Sequence, residues 1–148
     1  MNTAAELVTE PRPARVLYTA RVHTVGGRDG GSSYSDDRRL EVKHTVPGHP
    51  GNGTNPEQLF AAGWSACFEG AMGVAARKLN VDLPSDTSIN AEIDLLQGDD
   101  GYSIQGRLNI VVPGVPRDVA RAIAAAAELI CPYSRATRGN MKAIINVI

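Results

Sequence analysis

The chain has 148 residues, a formal net charge of -1 and two cysteines. That length suits one domain with its own core. The mixed charges exclude the basic footprint of a nucleic-acid binder and the polybasic face of a membrane-surface protein. Two cysteines are too few for a disulfide scaffold.

Residues 1–15 read as a flexible arm and residues 16–148 as a single domain. The arm contains Glu6, Glu10, Pro11 and Pro13 rather than the basic start and apolar run of a secretory signal. A cytoplasmic protein with no membrane and no nucleic-acid partner is therefore expected. Residues 16–25 are rich in β-branched and aromatic side chains and predict a strand. The turn from Gly26 to Gly31 is expected to close a hairpin with residues 39–46. There Leu40 and Val42 alternate with Glu41 and Lys43, as in a half-exposed strand.

A Pro/Gly/Asn loop over 47–54 leads to the longest predicted element. Asn55 suits an N-cap, Pro56 the first helical position, and Glu57 the first turn, where a carboxylate meets the positive end of the helix dipole. Arg77 and Lys78 suit the other end. Between residues 59 and 76 the only charged side chain is Glu69. A helix apolar nearly all round is expected to be buried. Its many small residues, among them Ala62, Ala66, Gly70 and Gly73, would admit a second backbone closely.

Residues 87–97 and 102–112 predict a hairpin around Asp100-Gly101. Residues 117–130 predict an amphipathic helix, with Val119, Ile123, Ala126, Ala127 and Ile130 on one stripe. Cys131-Pro132 ends it, and residues 143–148 form a last strand. The order ββ-α-ββ-α-β indicates an α+β fold.

Cys67 and Cys131 are either a redox pair or two unrelated buried thiols behaving as small hydrophobes. A thiol reacts as thiolate, and an apolar site disfavours the thiolate. Reactivity at Cys67 requires a cation from elsewhere in the fold. Arg28, alone among four glycines at its turn, is the candidate; the alternative is an exposed hairpin arginine. Glu57 could hold that arginine, or serve only the helix dipole. Ten residues separate Glu57 from Cys67, roughly 15 Å along a helix. If Glu57 serves a Cys67, that cysteine is expected to belong to a second copy with its helix antiparallel. Cys131, at the end of an element, suits a resolving cysteine. His23, His44 and His49 lack zinc-like spacing with the cysteines, so no metal site is expected. His23 and His44 facing each other across the first hairpin is a minor possibility.

Four motifs in order resemble one family. Gly26-Gly-Arg-Asp-Gly30, Thr54-Asn-Pro-Glu-Gln-Leu-Phe-Ala-Ala-Gly63, Ser65-Ala-Cys-Phe68 and Cys131-Pro-Tyr-Ser134 are similar to the organic hydroperoxide resistance (Ohr) branch of the Ohr/OsmC peroxidases. The resemblance implies an OsmC-like fold with a long central helix and an intertwined homodimer. It implies a two-cysteine peroxidase without a cofactor, acting on alkyl and fatty-acid hydroperoxides and recycled by dihydrolipoyl groups of a lipoylated protein. Cys67 maps to the peroxidatic cysteine, Cys131 to the resolving one, and Arg28 and Glu57 to the supporting pair. Leu59, Phe60, Phe68 and Met72 would suit an apolar peroxide tail in addition to packing in the core. Trp64 stands where a smaller aromatic is expected, and Glu69 is an unexpected acid in an apolar helix. A redox-sensing or hydrophobic-ligand-binding module of the same fold is the alternative function.

Overall fold

The longest element begins where its signals place it. Asn55 has an extended backbone, and its side-chain oxygen accepts a hydrogen bond from the Gln58 N–H at 2.9 Å. Helix α1 then runs Pro56–Lys78, with Glu57 in its first turn and Arg77 and Lys78 in its last. The computed structural model describes residues 14–148, so most of the expected arm, residues 1–13, lies outside the described residues.

Three short strands precede α1: β1 (Val22–Val25), β2 (Ser32–Ser35) and β3 (Glu41–Lys43), forming one antiparallel sheet in that order. After α1 come β4 (Ser88–Gly98), β5 (Gly101–Val111), α2 (Arg117–Ile130), α3 (Pro132–Thr137) and β6 (Ala143–Val147). Strands β4 and β5 pair antiparallel along their whole length, and β6 adds parallel to β5. The parallel addition follows from the α2–α3 crossover, which returns the chain in the direction of β5.

The core lies between the β4–β5–β6 sheet and the helices α1 and α2. Trp64, Phe68, Met72, Leu108, Ile110 and Ile123 are its largest sealed apolar side chains. Each such burial contributes roughly 1.5–3 kcal/mol against leaving the side chain exposed. The opposite face of the sheet is polar: Arg107 on β5 reaches Asp94 and Glu92 on β4, at 2.8 and 3.1 Å.

The α+β class agrees with the pattern of elements, and the local order differs in two places. The first hairpin partner of β1 is β2, not residues 39–46; those pair with the far side of β2. Ser-Ser-Tyr-Ser carries no β-branched or alternating apolar signal, so this strand has little signature in the sequence. Helix α3 follows Cys131 directly; Pro132 ends one helix and occupies the first turn of the next. Residues 16–21 do not extend β1. Strand β2 gives way after Ser35 to a turn, where the Asp36 N–H bonds the Arg21 carbonyl at 3.1 Å, and among the described residues no further strand meets the segment. Val16, Leu17 and Tyr18 are consequently about four-fifths exposed, at 82%, 82% and 78%. The alternation at Leu40–Lys43 agrees with expectation: Leu40 and Val42 are half-buried, Glu41 and Lys43 exposed.

Helix α1 is long and apolar enough to cross a membrane by length and composition, yet one side of it is packed inside the protein. The expectation of burial all round is corrected for a single chain. Trp64, Phe68, Ala71, Met72, Ala75 and Ala76 are buried, while Ala62, Ala66 and Gly70 are exposed on the other side.

Helix and sheet come close at Gly106, where an added Cβ would come 2.6 Å from the Trp64 ring and 2.8 Å from Ile93. Trp64 is sealed and cannot retreat, whereas Ile93 is only half-buried at the edge of a cleft. Gly106→Ala should therefore destabilise by about 1–3 kcal/mol. Thermal unfolding by circular dichroism should show a midpoint lower by several degrees, on the order of 2–4 °C per kcal/mol for a domain of this size. An unchanged midpoint would contradict this packing.

Candidate functional site

The loop between β1 and β2 turns through Gly26 and Gly27, both at positive φ (79° and 66°), a conformation that disfavours side chains. It brings Arg28 to the N-terminal end of α1. There the guanidinium Nη2 donates to Glu57 Oε1 at 2.5 Å, within the same chain. The loop and the helix end are joined by backbone. His44 N–H bonds the Gly31 carbonyl at 2.9 Å, and Thr45 N–H bonds the Thr54 carbonyl at 2.8 Å. Glu57 is largely shielded at 14% side-chain exposure, and Arg28 is open at 45%. The pair sits at the mouth of an open cleft of about 540 Å³ whose other walls include Val46, Ala61, Ala91, Ile93 and Leu95. A slightly larger cleft, about 590 Å³, lies between α2 and β6 beside Arg117 and Arg121, with neither cysteine among its lining residues.

Cys67 lies midway along α1 and is half-buried; Cys131 is fully buried at the α2–α3 junction. Both are free thiols, and they lie together. Burial pushes the Cys67 thiol above its ordinary value; the backbone amide of Tyr133 works the other way, and the neighbouring Cys131 pushes up again. No cation acts on it among the described residues. Glu69, two residues on, is half-buried and is not among the groups that shift the thiol.

The structure thus brings the expected residues together as two separate pairs. Arg28 and Glu57 meet at the start of α1, Cys67 and Cys131 meet midway along it, and the ten-residue spacing of about 15 Å lies between. Of the four residues expected to meet an apolar tail, Phe68 and Met72 are sealed in the core at 0% exposure, where their packing role is what is seen. Leu59 and Phe60 are half-buried. His23 and His44 do not face each other: His23 opposes Tyr34, with ring centroids 5.3 Å apart, and His44 Nε2 lies 2.7 Å from Ser33 Oγ. The reason is β2, which intervenes between their strands. Among the described residues no cluster of three His, Cys, Asp or Glu side chains is placed to hold a metal ion.

Sequence reasoning missed two neighbours of the cysteines, the Tyr133 amide and the Trp64–Ser134 hydrogen bond at 3.3 Å. The first had a readable sign: a proline directly after Cys131 starts a helix as readily as it ends one.

A long apolar helix carrying one thiol of a pair, backed by a hairpin sheet and a crossover helix, is the arrangement that the sequence resemblance to the Ohr/OsmC family implies, and known proteins show the same likeness. The family model for OsmC-like protein matches residues 48–146. The organic hydroperoxide resistance protein of Xanthomonas axonopodis pv. citri is 43% identical over 133 residues, 87% of this chain and 93% of that one. The organic hydroperoxide resistance protein OhrA of Bacillus subtilis is 38% identical over 88% of this chain and 96% of that one. The crystal structure of OhrB of Bacillus subtilis superposes with a TM-score of 0.84 at 36% identity, covering 90% of this chain and all of that one. The chain belongs to the OsmC/Ohr family.

The difference in exposure between the two thiols has a direct chemical consequence. In the reduced native protein at mildly alkaline pH, iodoacetamide should label Cys67 at least ~10-fold faster than Cys131, because only an accessible thiolate alkylates. Peptide mass spectrometry reads the two sites separately. Equal labelling would contradict the burial of Cys131.

Proposed function

We propose that the protein is a thiol-dependent peroxidase that reduces alkyl and fatty-acid hydroperoxides to alcohols. The observation that carries this is an accessible thiol, Cys67, beside a buried one, Cys131, in a chain whose relatives are named for organic hydroperoxide resistance. Cys67, as thiolate, attacks the distal peroxide oxygen. The O–O bond breaks, the departing alkoxide takes a proton and leaves as alcohol, and the sulfur becomes a sulfenic acid. Cys131 attacks that sulfur, water leaves, and a disulfide forms. A dithiol of the dihydrolipoyl class, presented by a lipoylated protein, exchanges with the disulfide and restores both thiols. No cofactor takes part, and the setting is the cytoplasm.

The weak point of a single chain is charge. Burial disfavours the Cys67 thiolate, and a nearby cation is what would offset it. A cation about 4 Å from a thiolate contributes about 4 kcal/mol near a protein surface. That is nearly three powers of ten in the ionisation equilibrium, since 1.4 kcal/mol is tenfold. In this reading the cation is Arg28 of a second copy, held in place by Glu57 of that copy through a charge-assisted hydrogen bond. Two features support a homodimer. Ala62, Ala66 and Gly70 leave one side of α1 open and nearly flat, and Val16, Leu17 and Tyr18 expose an apolar extended segment with no strand beside it among the described residues. Leu59 and Phe60 are half-buried, and Phe60 lies against Tyr133 beside Cys131; these two are the apolar contacts left for a hydrophobic substrate.

Purified protein should turn over cumene or t-butyl hydroperoxide repeatedly with dihydrolipoamide as reductant, and Cys67→Ser should abolish this. Arg28→Ala should lower kcat/KM about 10²-fold, the size expected for losing one preorganised charged donor. It should also move the pH midpoint of Cys67 alkylation upward. The sign follows from the two opposing influences: burial raises the thiol and a cation lowers it, so removing the cation leaves the rise unopposed. Full activity in Cys67→Ser would overturn the reading, and one stoichiometric oxidation without recycling would favour a redox sensor.

A further inference from the structure

Helix α3 has six residues, too few for its own backbone to hold it. Its position depends on what it touches, and α1 supplies three contacts. Trp64, 1% exposed, donates its indole N–H to Ser134 Oγ at 3.3 Å. Phe60 meets the Tyr133 ring edge-on, with centroids 5.8 Å apart. Gly63 leaves room for the Tyr133 hydroxyl, which an added Cβ would approach to 2.6 Å. Phe60, Gly63 and Trp64 precede Cys67 by seven, four and three residues, so all four lie along one face of α1.

The face that carries the reactive thiol is therefore the face that holds α3. Cys131 joins α2 to α3 and has little freedom of its own. Its N–H bonds the Ala127 carbonyl at 2.8 Å on one side, and its carbonyl accepts from the Arg135 N–H at 2.9 Å on the other. Where α3 sits, Cys131 sits. An indole N–H only donates, and the buried Ser134 hydroxyl is the acceptor Trp64 has within reach.

We propose that Trp64 and Ser134 form a positioning pair for the resolving step, keeping Cys131 within reach of Cys67 while the sulfenic acid exists. This deepens the two-cysteine reading above and rests on it. In that step the Cys131 sulfur attacks the Cys67 sulfenic sulfur. The S–S bond forms, the S–O bond breaks, and the oxygen leaves as water with the Cys131 proton and one from solvent or the sulfenic acid itself. The reaction is intramolecular, so its rate follows how well the two sulfurs are held together. A second hydroperoxide competes for the same sulfur and oxidises it to sulfinic acid. Neither Trp64 nor Ser134 touches the substrate in this scheme; both act through α3.

The test measures that competition. Folded wild type, Ser134→Ala, Trp64→Phe, Ser134→Thr and Cys131→Ser, each isolated by gel filtration, are exposed to the same excess of t-butyl hydroperoxide. Intact mass spectrometry then gives the ratio of sulfinic acid (two oxygens gained) to disulfide (two hydrogens lost). Ser134→Ala and Trp64→Phe should each raise the ratio ~3–10-fold, the size set by one hydrogen bond. The double variant should go little further, and Ser134→Thr, which keeps a hydroxyl, should stay near wild type. A general loosening of the fold would not be rescued by a hydroxyl alone. Should Ser134→Ala fail to fold, Trp64→Phe decides. Wild-type ratios in the folded variants would overturn the pair. A wild type that forms no Cys67–Cys131 disulfide, with Cys131→Ser behaving identically, would instead overturn the two-cysteine reading beneath it.

Discussion

A helix of 23 residues keeps its first turn and its central cysteine apart, and the rest of the molecule is arranged around that separation. The Arg28 loop is tied to the first turn twice, by the ion pair to Glu57 and by backbone bonds from β3 to the loop that enters the helix. The thiols are tied to the middle of the same helix by core packing. At 1.5 Å per residue the two groups stay about 15 Å apart along the axis. A guanidinium fixed to Glu57 is thus available to a thiol other than the one on its own helix. In the proposed dimer the same rigidity would present the pair, preorganised, to the thiol of the other copy.

Burial acts in opposite directions on the two cysteines. Cys131 is sealed, and in the proposed cycle that burial shields its thiol from peroxide until the neighbouring sulfur is oxidised. For Cys67 it raises the energy of the anion that the chemistry needs. Among the described residues only the Tyr133 amide works against this, a weak dipole compared with a full charge. In the proposed dimer the missing charge arrives with assembly, so an isolated subunit would hold an unreactive thiol.

Much of this was legible in the sequence because the signals were local. The cap at Asn55, the proline after it, and the charges at the two ends of α1 are read within a few residues. The distance between Glu57 and Cys67 needs only the helical rise. The hairpin at Asp100-Gly101 is equally local, and so is most of the stripe on α2; at its end Ile130 is exposed, while Ala120 and Ala124, outside the expected stripe, are buried. What escaped depends on tertiary neighbours. Ser32–Ser35 becomes a strand because β1 and β3 lie on either side of it, not because serines favour strands. Phe68 and Met72 carry the same apolar signal whether they face a pocket or a core, and only packing separates the two. Residues 16–21 have strand composition without a strand partner among the described residues. A segment of that kind is legible as β-forming and silent about what it pairs with.

The separation along α1 makes its most direct claim about mixed dimers. Chains carrying Arg28→Ala are combined with chains carrying Cys67→Ser, the heterodimer is purified, and hydroperoxide turnover is measured. Action across the interface predicts about half of wild-type activity, since one of the two symmetric sites keeps both residues. Heterodimers no more active than either parent variant would mean that arginine and cysteine work within one chain, and would contradict it.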